Sequence, residues 1–382
     1  MMKVVHLVPN CFGRERGIAG GAERYAFELA RHMAARTPTR LVSFEAEPRR
    51  ETCGPLEIRT LRPAFQVGSR GNPFSLRLLR ELAWADVVHC HQYKTCIGSL
   101  AALYARATGR RVFASDLGGA GLDISSVVST DGWFHGHLHI SRYSRFLAGH
   151  DHRRNAGVIY GGVSSDRFYP DESVARDGSV LFVGRLLPHK GVDVLIRALP
   201  QGMRLVLVGQ EADPEYLALL KKQATGKPVE FVRDANDDAL ARYYRRALCI
   251  VLPSVHRTVS GRQVRAPELL GQTLLEGMAC QAPGVCSDAA SLPEIVRDGR
   301  TGFIVPWGDA AALHDRLSWL RDHPDAARRM GVAAEADVRR RFGWPAAVDR
   351  CLQMYADGRI TAEEPRAVVE TGSPLPLPRD VE

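Results

Sequence analysis

The chain has 382 residues, 45% of them hydrophobic and 25% charged, with 51 basic against 43 acidic residues and a formal net charge of +8. That length admits two domains with two sizeable cores, and the composition is that of a soluble globular protein. No run of 18 apolar residues occurs, so no transmembrane helix is expected, and the mixed charge, with no Lys/Arg block, RNA-binding aromatic pattern or zinc-finger spacing, argues against nucleic acid.

Met1 to Val8 is too short for a signal peptide and reads as a first strand. From there short β-rich apolar runs alternate with helical patterns to the end. Strands are expected at 3–8, 40–44, 86–89, 111–115, 136–140, 157–160, 179–183, 204–208, 229–232, 249–252, 284–286 and 302–305. Amphipathic helices are expected between them at 22–35, 75–83, 95–107, 191–199, 214–224 and 238–246. This alternation predicts an α/β protein with parallel sheets covered on both faces. Twelve strands exceed one compact doubly wound sheet and fit two of about six, joined in the turn-rich stretch Gly161 to Arg176. A ligand then belongs in the cleft at the C-terminal strand ends. The eight cysteines, scattered and without a C-x-x-C pair, favour reduced, cytosolic thiols over a disulfide framework or a zinc site.

Four stretches can carry chemistry. The first strand leads through a loop to Gly20-Gly21, where backbone can approach a ligand at the positive end of the next helix; a simple tight turn is the alternative. His89-Cys90-His91 is read as following a strand with its imidazoles on opposite sides. Joint metal chelation is then not expected, while one histidine contacting a ligand and one capping the strand both stay open. Gly184-Arg185 to Lys190-Gly191 places a bidentate cation and a point charge on one loop at a strand end, suited to a diphosphate; P-loop spacing is absent. Finally, Glu268 and Glu276 flank Gly271-Gln272-Thr273. A helix from about Gly271 offers N–H groups to a phosphate, with carboxylates spread over roughly 12 Å to accept hydroxyl hydrogen bonds. An ordinary amphipathic helix with two solvated Glu gives the same pattern.

Taken together, the Glu268/Glu276 spacing, the Gly-Arg…Lys-Gly loop and the Gly-Gly turn resemble the family-4 retaining glycosyltransferases of the GT-B fold. Val158-Ile159-Tyr160-Gly161-Gly162-Val163 with Asp166, Phe168 and Pro170 resembles the family's interdomain segment. Leu205 to Gly209 and Leu252-Pro253-Ser254 resemble its second-domain strand ends, and Ser287-Asp288…Leu292-Pro293-Glu294…Asp298-Gly299…Thr301-Gly302-Phe303 its last strand and turn. The resemblance covers about residues 3–356. It implies two Rossmann-like domains facing across a cleft: 1–165 for the acceptor, 166–340 for the nucleotide sugar, and a helix at 341–356 packing back on the first. Residues 357–382, with Pro374, Pro376 and Pro378, several acids and little apolar periodicity, read as a flexible tail.

By the same resemblance, Arg185 and Lys190 bind the donor diphosphate at the strand end marked by Gly184. Glu268 holds donor-sugar hydroxyls and Glu276 the ribose. Backbone at Gly271, Gln272 and Thr273 meets the distal phosphate, which Gly20 and Gly21 approach from the other domain. Several positions depart from the family pattern. Asp116 stands near where an active-site histidine is usual, and is expected on the acceptor side with His89 and His91. Arg233 replaces a common glycine near the base pocket, Ala290-Ser291 replaces Gly-Gly, and the loop His256 to Ala266 carries Arg257, Arg262 and Arg265. The implied activity is transfer of a hexosyl group with retention from a nucleotide diphosphate sugar, UDP-sugar before GDP-mannose, to a hydroxyl of a glycan, lipid-linked or natural-product acceptor. No metal or other cofactor is expected, because Arg185 and Lys190 supply the cationic charge. A nucleotide-sugar epimerase and a non-catalytic sugar-nucleotide binder are the rival readings. The expected location is cytoplasmic; a peripheral membrane contact through basic residues 141–154 stays open, as does the oligomeric state.

Overall fold

The computed structural model describes residues 1–12, 18, 20–68, 71–118, 123–233 and 235–360. The first half contains β1 (Val4–Leu7), β2 (Thr39–Phe44), β3 (Arg49–Cys53), β4 (Leu56–Leu61), β5 (Phe65–Gln66), β6 (Pro73–Phe74), β7 (Val87–His91), β8 (Arg111–Ser115), β9 (Gly136–His139) and β10 (Ala156–Val158). Its helices are α1 (Gly21–Ala34), α2 (Leu78–Trp84), α3 (Cys96–Ala107) and α4 (Arg142–Leu147). Eight of the strands form one sheet in the order β10-β9-β8-β7-β1-β2-β4-β3, parallel except for β3. Alternation along β1 sends Val5 and Leu7 to a core shared with α2 and α3, and Val4 to the opposite core, which α1 covers.

In the second half, β11 (Val180–Val183), β12 (Leu205–Val208), β13 (Val229–Val232), β14 (Cys249–Leu252), β15 (Gly284–Ser287) and β16 (Gly302–Val305) alternate with α5 (Val192–Ala198), α6 (Pro214–Ala224), α7 (Asp237–Arg246) and α8 (Gln272–Ala279). Then come α9 (Ala310–Asp322), α10 (Pro324–Arg341) and α11 (Trp344–Asp357). The six strands are all parallel, in the order β13-β12-β11-β14-β15-β16. That is the doubly wound Rossmann order, whose direction reverses between β11 and β14. The α/β class and parallel sheets are as expected.

The strand count of the first half differs from the expected six. The stretch 49–74 adds four strands, two of them a separate two-residue hairpin. Arg49-Arg50-Glu51-Thr52-Cys53 is a polar, largely exposed edge strand, and such a strand carries no apolar run to announce it. The chain crosses between the halves twice. Val163 N donates to Phe342 O (3.0 Å), so the outgoing and returning segments lie side by side. α11 then packs on the first half: its Trp344 ring lies 5.5 Å from Tyr25 and 5.8 Å from His32. A Cβ at Gly162 would stand 2.5 Å from that indole, so only glycine admits the crossing there. Most of the expected tail, residues 361–382, lies outside the described residues.

Candidate functional site

Two glycines bring the second-half strand ends into register. Gly209 follows β12 at φ +155°, and a Cβ there would sit 1.9 Å from Gly184 O. Gly191 has φ +67°, and a Cβ there would meet Pro253 O at 2.0 Å. Neither position tolerates a side chain, and the second contact presses the loop after β11 against the end of β14. Lys190, on the short 3-10 turn Pro188–Lys190, thereby reaches Glu268: Nζ to Oε2 is 2.7 Å, with both side chains about 15% exposed. Arg185 on the same loop is exposed and makes no ion pair with a described residue. Burial, then the charges of Lys190, Arg185 and Arg262, push the neighbouring His189 down to about 4.

Directly after Glu268, Gly271 adopts φ +82° and opens α8 without a side-chain cap. A Cβ there would lie 2.8 Å from Leu292 Cδ2. The first N–H groups of α8, at Gln272 and Thr273, precede any intrahelical acceptor, and the Thr273 hydroxyl is tied to Val183 O (3.0 Å). The loop carrying Arg185 and Lys190 and the N-terminus of α8 thus lie together at the topological switch point, tied by Thr273 to Val183 and by Lys190 to Glu268, an arrangement suited to an anion. The sequence-predicted Gly184, Arg185, Lys190, Glu268, Gly271, Gln272 and Thr273 converge here.

Glu276 is placed differently from its expected role as an open end of the site. It is 4% exposed and accepts a hydrogen bond from the Tyr244 hydroxyl (2.9 Å). Burial lifts its carboxyl to about 7, against the lowering pull of Arg24, Tyr244 and Gln272. It lines a small cavity between the halves with Arg24, Tyr25, Arg167, Gln272 and Trp344. Arg24 crosses from α1 to Asp237 (2.9 Å), which Arg167 also meets at 2.7 Å. Sequence reasoning missed Arg24, Asp237 and Tyr244; no local signal ties residues 32 or more apart to Glu276. Gly20 caps α1 with extended backbone, and the space around Gly21 is open.

The two histidines of β7 require a correction. Residues i and i+2 of a strand share a face, and His89 and His91 stack at 4.2 Å on the same side, joined by His6 of β1. They are 0% and 2% exposed. His89 is held by the Tyr355 hydroxyl (2.7 Å) and Ser115 Oγ (2.8 Å), and His6 Nδ1 lies 2.9 Å from His91 Nε2. Burial lowers all three pKa values, so the cluster is neutral. Its ligand atoms lie within 4.8 Å of one another, as do those of Asp131, His137 and His150. Yet both nitrogens of His89 are engaged, as are both of His150, by Asp131 Oδ2 (3.0 Å) and His139 (3.1 Å). An ion would have to displace these bonds. Asp116 pairs with Lys94 (3.2 Å). Arg233 has a 68% exposed side chain and lies 3.7 Å from Glu211. Ala290 sits at φ +55°, in the left-handed region where the family glycine fits without strain.

Residues 141–154 face the second half at their start. Glu294 of the Leu-Pro-Glu turn accepts N–H bonds from Arg142 (2.9 Å) and Tyr143 (2.8 Å), the first two residues of α4. These N–H groups have no intrahelical partner, so one carboxylate from the second half caps a helix of the first. Glu294→Ala is expected to lower stability by about 1–3 kcal/mol, read as a lower thermal midpoint; an unchanged midpoint would show the contact to be solvated. Among the described residues, no helix is long and apolar enough to cross a membrane.

Two family models match in tandem: "Glycosyltransferase Family 4" over residues 19–116 and "Glycosyl transferases group 1" over residues 170–337. A D-inositol 3-phosphate glycosyltransferase of Streptomyces scabiei is 30% identical over 52% of this chain and 48% of its own length. A phosphatidyl-myo-inositol mannosyltransferase of Mycobacterium leprae is 34% identical over 46% of each chain. The matched part of the chain thus spans about half the length of these curated relatives. A D-inositol 3-phosphate glycosyltransferase of Acidothermus cellulolyticus is 28% identical over 96% of this chain and 91% of its own. Among solved structures, sucrose-phosphate synthase from Thermosynechococcus elongatus superposes with a TM-score of 0.70 at 20% identity, covering 93% of this chain and 98% of that one. HepE of Anabaena, in complex with UDP and glucose, gives 0.70 at 18%, covering 93% and 100%; at these identities the likeness shows the fold. From the two matched models and the shared two-sheet fold, the chain belongs to glycosyltransferase family 4, on the GT-B fold.

Proposed function

We propose that the chain transfers a hexosyl group, with retention, from a nucleotide diphosphate sugar to an acceptor hydroxyl, with UDP-sugars favoured and GDP-mannose next. The observation that carries this reading is the Lys190–Glu268 pair (2.7 Å) beside the uncapped N-terminus of α8, with Arg185, which has no ion pair among the described residues, on the same loop as Lys190. Leaving-group charge develops on the diphosphate, and preorganised cations and N–H groups stabilise it there. Arg185 grips the diphosphate in bidentate fashion and Lys190 acts as a point charge. Glu268, held by Lys190, accepts hydrogen bonds from the donor-sugar hydroxyls. Glu276 accepts those of the ribose once the cavity around it opens. Gly20 and Gly21 bring first-half backbone to the phosphates, and Arg233 stands by the base.

In the family's mechanism the acceptor attacks from the leaving-group side, and a donor phosphate oxygen helps to take its proton; the same route is proposed here. Two side-chain cations and a helix N-terminus supply the charge a divalent metal would otherwise bring, so metal-independent turnover is part of the proposal. Asp116 and the strand ends of the first half would border the acceptor. Relatives named for inositol phosphate and phosphatidyl-myo-inositol support a polyol phosphate or lipid headgroup as acceptor.

The test is to incubate purified chain with UDP-, GDP- and dTDP-sugars and to measure nucleotide release and binding. Slow release that accelerates with acceptor is expected. If no donor is hydrolysed or bound, the transferase reading fails. Isomer formation from donor alone would select an epimerase, and tight binding without turnover on any acceptor a non-catalytic binder.

A further inference from the structure

Between β14 and Glu268 the chain makes an ordered hairpin. Val255 N donates to His189 O (2.9 Å), anchoring its start to the loop that carries Arg185 and Lys190. Val264 N donates to His256 O (2.7 Å), Thr258 N to Arg262 O (2.9 Å) and Arg262 N to Thr258 Oγ1 (3.1 Å), with Gly261 at φ +84° turning the tip. Its far end meets the first half, where the Tyr143 hydroxyl donates to Arg265 O (2.7 Å) and the Tyr143 ring lies 6.4 Å from His256. The hairpin therefore bridges the phosphate-facing loop and α4, at the junction of the halves.

Its charge is one-sided. Residues 255–267 contain no acid and three arginines, all exposed, and none makes an ion pair with a described residue. Arg262 is close enough to His189 to join Lys190 and Arg185 in repelling its proton. Arg257 faces elsewhere: with Arg197, Val194 and Trp307 it lines a separate pocket. A donor diphosphate brings about two negative charges, and Arg185, Lys190 and the α8 N-terminus already meet them. Arg262 and Arg265 are cations in excess of the donor's need, on a hairpin whose backbone is fixed by hydrogen bonds and spans from the Lys190 loop to α4. Guanidinium forks of this kind suit phosphate oxygens.

We propose that Arg262 and Arg265 bind a phosphate carried by the glycosyl acceptor, so that this hairpin selects phosphorylated acceptors over neutral polyols. The proposal rests on the glycosyltransferase reading of the same cleft. The phosphate can be that of a soluble polyol phosphate or of a lipid headgroup, which share this chemistry.

The full chain is assayed as wild type, as Arg262→Gln/Arg265→Gln, and as Arg257→Gln for control. Acceptors are inositol 3-phosphate, myo-inositol, and vesicles of phosphatidylcholine with or without phosphatidylinositol. The double variant is expected to raise KM for the phosphorylated acceptor by about 10- to 100-fold, the loss of one or two charged hydrogen bonds. KM for myo-inositol and acceptor-free donor hydrolysis should not move, and Arg257→Gln should match wild type. Preference for inositol 3-phosphate identifies a soluble source, preference for phosphatidylinositol vesicles a lipid one, and either supports the seat. Equal use of myo-inositol and inositol 3-phosphate by wild type, with no response to phosphatidylinositol, overturns it. So does a double variant that loses donor hydrolysis in step with transfer, which would make the arginines donor ligands. Calorimetric binding of inositol 3-phosphate gives a readout independent of turnover. If no donor binds yet the double variant still weakens that binding, the transferase reading falls and the anion seat stands.

Discussion

Lys190→Ala is expected to cut turnover by about 10²- to 10³-fold, the usual loss when one preorganised donor to developing charge is removed, while the chain stays folded. Lys190 Nζ lies 2.7 Å from Glu268 Oε2 at the mouth of the uncapped α8. It holds the carboxylate that would orient the sugar and also faces the position a diphosphate would take, so its loss acts on both halves of the donor. Folding depends on other features of the same loop: Gly191 against Pro253, and Leu186 N donating to Gln210 O (2.9 Å). These do not involve the ammonium. The measurement is nucleotide release under saturating donor, with circular dichroism and thermal melting as the control. Unchanged turnover in a folded variant would remove Lys190 from the phosphate site, and a variant that fails to fold would show the Lys190–Glu268 pair to be structural.

The strands whose ends carry the candidate site are legible in the sequence because parallel strands buried on both faces read as short apolar runs. Each such run is followed by its loop, so Arg185 and Lys190 are placed at a strand end, and Glu268 just ahead of a helix start, by the sequence alone. What lay beyond reach depends on partners distant in the chain. The spacing to Glu268 sets where Glu276 stands along α8 but not what covers it. Tyr244, Arg24 and the crossing segment at Gly162 bury it, and none of these is announced by its own neighbourhood. The histidines show the opposite case: their shared face follows from strand periodicity alone once β7 runs through His91 instead of stopping at residue 89. Arg49 to Cys53 stayed hidden because an edge strand protected by charge has no apolar signature.

Burial of Glu276 also has a thermodynamic consequence that separates stability from function. Its folded-state pKa of about 7 lies above the ordinary 4.5. Between these values the native chain keeps a proton that the unfolded chain has released, so stability falls as pH rises through this window. The contribution is fully present below pH 4.5 and is lost by pH 7 and above, a difference on the order of 3 kcal/mol at 1.36 kcal/mol per unit. Glu276→Gln keeps an acceptor for the Tyr244 hydroxyl but carries no charge to desolvate. The variant is expected to unfold at higher urea than wild type at pH 8, to match it at pH 5, and yet to lose about tenfold or more in kcat/KM, since ribose hydroxyls would then meet a neutral amide in place of a carboxylate. Urea midpoints of both proteins at pH 5, 7 and 8, beside donor turnover at pH 8, decide the matter. A variant less stable than wild type at pH 8 would mean that Arg24 and Tyr244 already stabilise the charged carboxylate. A variant that is more stable and equally active would take Glu276 out of the donor site. The expected pairing, gain of stability with loss of activity, would identify an ionised carboxylate held at a cost to folding because the donor needs it.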